Sequence, residues 1–125
     1  MVDLDGHLLM HSDTDAYLEF GDSIASINAA ITAALGSEDI DLWWELLHRL
    51  TTRHIFARDG GRERAAALTQ QLGVRRIVHG HSIIGSLVDR PSEQVEGPFA
   101  YADGLVLAID GGRYDGGPLL LVELH

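Results

Sequence analysis

Arg75-Arg76-Ile77-Val78-His79-Gly80-His81-Ser82-Ile83-Ile84-Gly85 decides how the chain is read. Ile77 and Val78 are β-branched and apolar, which favours a buried strand. Gly80 breaks the strand, and His81 sits on the turn just past its end. In open α/β sheets, ligands collect beyond the carboxyl ends of the strands. A histidine held there has a rigid support and an open face, which suits a metal ligand.

On both sides the rhythm is helix and strand. Arg62–Leu72 spaces Ala65, Leu68 and Leu72 along one face and stops at Gly73, so a helix feeds the strand that carries His79-Gly80-His81. Upstream, Asp22–Leu35 is a predicted helix capped by Asp22 or Ser23, with Ile24, Ile27, Ile31 and Leu35 as its stripe and Gly36 as its stop. A second helix starts at Ser37 or Asp39. Its Ile40, Trp43, Trp44 and Leu47 recur at i, i+3, i+4, i+7, which reads as a core face. At the start, Asp5-Gly6 turns a hairpin within Val2–His11, and Leu8-Leu9-Met10 is a buried strand ending at His11. Downstream of Gly85, Asp89–Pro98 is a polar loop. Phe99–Tyr101, Leu105–Ile109 and Leu119–Leu124 read as three further strands, with a two-residue turn at Asp103-Gly104. Thr51–Asp59 reads either as more helix or as an exposed loop. These elements predict an α/β fold, a mixed β-sheet flanked by helices.

Composition narrows the function. The 125 residues suit one domain, 1–125, with 46% apolar and 22% charged residues. No apolar run approaches the ~20 residues of a membrane span, and no basic leader opens the chain, so a cytoplasmic setting is expected. Cysteine is absent, which excludes disulfides and thiolate metal sites, and lysine is absent too. The net charge of −10 argues against nucleic-acid or anionic-membrane binding. Residues 1–48 hold ten acids and no Lys or Arg, whereas 49–76 hold seven arginines. Those arginines form a solvated helical surface, with one or two available to an anionic substrate.

Val78-His79-Gly80-His81-Ser82-Ile83-Ile84 resembles the Val-x-Gly-His-Thr-Pro-Ile box of calcineurin-like metallophosphoesterases. The resemblance implies that His81 ligates a divalent ion (Mn, Zn or Fe) and that His79, at the variable position, does not. Ser82 and Ile83 replace the usual Thr-Pro. Leu8-Leu9-Met10-His11-Ser12-Asp13 is similar to the strand that supplies the family's other late histidine, which makes His11 a second metal ligand. By the same likeness Arg53 holds the substrate phosphate, with Arg58 as substitute. Ile109-Asp110-Gly111-Gly112 and the glycine-rich tail resemble the end of the fold, with Asp110 behind the site or in a turn.

The likeness corresponds to the family's C-terminal half, one part of an α/β/β/α sandwich. The boxes Asp-x-His, Gly-Asp-x-x-Asp-Arg and Gly-Asn-His-Asp/Glu are not found. Asp5-Gly6-His7 fits the first in letters but sits in a hairpin turn. The resemblance therefore implies hydrolysis of phosphate esters by a two-metal-activated water, incomplete in this chain. It implies a phosphorylated substrate, and either a homo-oligomer or a missing N-terminal half to cover the open sheet face. An inactive binding module is the alternative. A third reading takes Val2-Asp3-Leu4-Asp5-Gly6, similar to the Asp-x-Asp-Gly-Thr box of haloacid-dehalogenase-like phosphatases, with Asp3 as nucleophile.

Overall fold

The computed structural model describes all residues, Met1–His125. Five strands form one mixed sheet: β1 (Val2–Leu4), β2 (His7–Met10), β3 (Arg76–His79), β4 (Phe99–Tyr101) and β5 (Val106–Ala108). The helices are α1 (Ile24–Leu35), α2 (Ile40–Leu50), α3 (Gly61–Leu72) and the single turn α4 (Ile84–Leu87). The strand order is β1-β2-β3-β5-β4. β2, β3 and β5 run parallel, and the edge strands β1 and β4 are antiparallel to their neighbours. The predicted α/β class, a mixed sheet with helices, is therefore what the chain adopts.

Local chemistry explains most element ends. Asp5 and Gly6, at φ 50° and 82°, make the two-residue turn that pairs Leu4 with His7. Ser23 caps α1 and exchanges a capping box with Ser26. Asp39 caps α2 by accepting from the Asp41 and Leu42 amides. α3 ends on Gly73 in the left-handed region, as its sequence requires.

One sheet face carries the core. Leu8 lies opposite Ile77, and Ile77 opposite Val106, so the three share a face. Tyr17, Ile27, Ile55, Phe56, Ala65 and Leu68 pack onto it from the helices and loops. On the opposite face Val78 and Leu107 join neither apolar cluster. There, at the β1 edge, Val2 and Leu4 are 59% and 50% exposed.

Three expectations change, and one open reading is settled. Trp43 and Trp44 are 45% and 66% exposed rather than core. α2 buries Leu46 instead, so the stripe with the strongest helical period is not the inward one. Leu119–Leu124 forms no strand and pairs with neither free edge of the sheet, β1 or β4. The β4–β5 connection spans Ala102–Leu105 rather than two residues, with Ala102, Asp103 and Gly104 all at positive φ. Thr51–Asp59 is irregular, since α2 stops at Leu50.

Candidate functional site

His11 follows β2 directly, and His81 comes two residues after β3. Parallel pairing sets Met10 opposite His79, so both histidines leave the sheet at the same carboxyl edge. Their rings lie 4.3 Å apart between centroids, tilted by 32°. Gly80 is not what makes the turn possible. A Cβ there would meet nothing closer than the His11 carbonyl at 3.9 Å. The left-handed residue is His81 itself, at φ 61°. A non-glycine residue held in that region is strained, and such strain concentrates at functional sites.

The loop after α2 adds Arg53. Its Nε donates to His81 Nε2 at 3.0 Å. Ser12 fastens this loop by donating to the Leu50 carbonyl, and the Ile55 amide donates to the Asp13 carbonyl at 3.1 Å. The side chains of His11, Arg53 and His81 are thus brought together from three separate segments. His54 lies in the same loop at φ 62°. Arg58 is exposed and has no side-chain hydrogen bond.

Desolvation, then the Arg53 charge and then His11, hold the His81 imidazole below the usual histidine range. A neutral ring is the form that ligates a metal. However, the Nε2 lone pair is already taken by the guanidinium, which must move aside for a metal to bind there. No group of three or more His, Cys, Asp or Glu able to hold a metal is present. Two imidazoles are the whole donor set here, too few to complete a two-metal centre. None of the surface cavities is lined by His11, Arg53 or His81, which form an open rim rather than a pocket.

Beneath the rim lies a buried polar network that the sequence reading overlooked. Asp13, His79 and Ser82 are each fully buried. Ser82 Oγ donates to Asp13 Oδ1. The Tyr101 hydroxyl lies 2.8 Å from His79 Nε2 and 3.2 Å from Asp13 Oδ2. His79 Nδ1 faces the Gly80 carbonyl at 2.9 Å, so Nδ1 carries the proton and Nε2 accepts. Burial lowers the His79 pKa and raises that of Tyr101, where the Asp13 charge adds to the rise. The network ties the segment after His11 to those before and after His81. The adjacent Ser12-Asp13 and Ser82 letters hinted at it, but Tyr101 lies 88 positions from Asp13.

The other marked residues fall outside the site. Asp110 is a turn residue whose Oδ1 accepts from the Gly112 amide at 3.0 Å, while its carbonyl accepts from Ile84 at 2.9 Å. Its charge also raises both His79 and His81 slightly against the larger lowering causes. Asp3 lies on the antiparallel edge strand and accepts from the Gly6 amide at 2.8 Å, and Asp5 makes the turn. No family model, curated protein or solved structure significantly matches the chain.

Proposed function

We propose that this chain contributes the histidine–arginine part of a metal-dependent phosphoesterase centre. The observation that carries the reading is the meeting of His11 and His81, at the ends of adjacent parallel strands, with Arg53 at 3.0 Å from His81. In this reading His11 and His81 offer neutral imidazole donors to a divalent ion such as manganese, zinc or iron. A bound metal pair supplies an activated water and neutralises phosphate charge. Arg53 leaves His81 for the substrate, where its planar fork matches two phosphate oxygens. The exposed rim admits a bulky phosphorylated substrate. The remaining ligands and the leaving-group acid must come from elsewhere, so the chain alone is expected to hydrolyse phosphate esters poorly or not at all.

Calorimetry with manganese or zinc tests the reading. Binding that is lost in both His11→Ala and His81→Ala supports a retained centre. No heat above background supports the alternative, a binding module that keeps the fold without the chemistry. What favours that alternative is the guanidinium resting on the His81 lone pair. The aspartate-nucleophile reading has no geometric support, because Asp3 sits mid-way along an edge strand.

A further inference from the structure

α2 has two apolar stripes. Leu46 turns inward and is 3% exposed. The second stripe, Ile40, Trp43, Trp44 and Leu47, faces water around a shallow depression of about 370 Å³. These four are 62%, 45%, 66% and 51% exposed, and Leu35 at the end of α1 adjoins in sequence at 61%. Both tryptophans of the chain are here. Trp43 is held in place, since its indole N–H donates to the Ala34 carbonyl at 3.1 Å. A contiguous exposed patch with aromatic anchors on a rigid helix has the make-up of an interaction surface.

The charge around it selects the occupant. Glu38, Asp39 and Asp41 are all exposed at the N-terminal end of the stripe. The one arginine on α2, Arg49, is already paired with Glu19 and Glu45. Two copies meeting through this stripe would bring their acidic flanks together, each on a chain of net charge −10. An anionic lipid surface meets the same repulsion.

We propose that the exposed stripe of α2 docks a basic amphipathic helix of another protein. Apolar residues of that helix, at i, i+3 or i+4 and i+7, would cover the tryptophans, and its lysines or arginines would face Glu38 and Asp41. The proposal does not depend on the metal reading, because the stripe shares no residue with His11, Arg53 or His81.

Tryptophan fluorescence of the whole chain reads the surface directly. The probe is a synthetic Leu/Lys amphipathic helix, compared with its scrambled isomer, a Leu/Glu counterpart and phosphatidylserine vesicles. The Leu/Lys helix should shift the emission to the blue in a saturable titration, and the other three should not. Trp44→Asp should weaken binding by about tenfold or more. Glu38→Lys with Asp41→Lys keeps both tryptophans and should switch preference to the Leu/Glu peptide. The proposal fails if no peptide binds, or if the scrambled or Leu/Glu peptide binds the native chain as well. It also fails if vesicles produce the same shift, or if the chain forms a dimer that Trp44→Asp dissociates.

Discussion

Replacing Asp13 by Asn should stabilise the protein. The Tyr101 hydroxyl has one proton and two acceptors, His79 Nε2 at 2.8 Å and Asp13 Oδ2 at 3.2 Å. If the proton goes to the nearer nitrogen, the carboxylate oxygen faces a lone pair. Asp13 is fully buried and takes part in no ion pair. Burying an unpaired carboxylate costs several kcal/mol even after relaxation. An asparagine has the same shape. Its Oδ1 still accepts from Ser82, and one Nδ2 hydrogen is donated to the Tyr101 oxygen, so both contacts survive without a charge. Against this, the Ser82 hydrogen bond loses its charge assistance and the second Nδ2 hydrogen lacks an acceptor, about 1 kcal/mol each. The balance is a gain of about 1–2 kcal/mol, or roughly 3–10 °C in Tm for a domain of this size. Tyr101→Phe makes the opposite change. It strips the only partner from the buried His79 Nε2 and leaves a gap beside Asp13, and should cost about 1–3 kcal/mol. Calorimetric melting of the three proteins should place Asp13→Asn highest, the native chain next and Tyr101→Phe lowest. If Asp13→Asn melts well below the native protein, the carboxylate charge stabilises the network, and the proton-counting argument is wrong.

Arg53→Ala should strengthen metal binding in phosphate-free buffer by about five- to tenfold, since it frees a lone pair from a hydrogen bond worth about 1 kcal/mol; calorimetry showing weaker binding would rule out Arg53 as a competitor for His81. Stability should fall on acidification below about pH 6.5. His79 and His81 are both held below their ordinary pKa, mainly by desolvation, so the unfolded chain takes up protons near that pH before the folded one does. Their contribution is complete above about pH 6.5 and is lost as pH falls through the lowered folded values; urea midpoints that stay flat between about pH 7 and pH 5 would contradict this. Gly61→Ala should cost about 3 kcal/mol in urea melts, because a Cβ would sit 2.3 Å from the Phe56 carbonyl oxygen, which is backbone and cannot step aside. Leu4→Lys should reduce concentration-dependent self-association in sedimentation runs, since Val2 and Leu4 lie exposed together on the edge strand β1; a native chain that stays monomeric would remove that expectation.

The legible parts of the fold were those with local causes. The Asp5-Gly6 turn and the Gly73 stop each depend on residues within one turn and form as read, and the caps, left between Asp22 and Ser23 and between Ser37 and Asp39, fall on Ser23 and Asp39. The misreadings share a different cause. A period of 3.6 says that a helix has an apolar stripe, but not that the stripe faces the core. In α2 the exposed stripe holds the larger side chains, so size pointed the wrong way. The tail at Leu119–Leu124 has strand-like residues, but a strand exists only when it pairs, and this segment pairs with neither sheet edge. Of the site, the histidines and Arg53 stood out by residue type at strand and loop ends. Asp13, Ser82 and Tyr101 did not, because a buried polar residue has the same letter as an exposed one.

What brings the histidines together is register. Met10 opposite His79 sets the segments after β2 and β3 level with each other, and the core-facing alternation of Leu8 and Ile77 locks that pairing. A slip by one residue would turn Leu8 out of the core and move His11 away from His81, so packing and site geometry fail together. The clamp below the site works at the same range, since Ser82 and Asp13 stand 69 positions apart. An unfolded chain cannot hold the two imidazoles at 4.3 Å. Any ion that uses both must therefore bind the folded form preferentially and raise its stability as RT ln(1 + [L]/Kd). A Tm that rises with manganese or zinc, and no longer does so when either His11 or His81 is replaced by Ala, would place both rings on one ion without any measurement of hydrolysis. A rise that survives both substitutions would put the ion elsewhere.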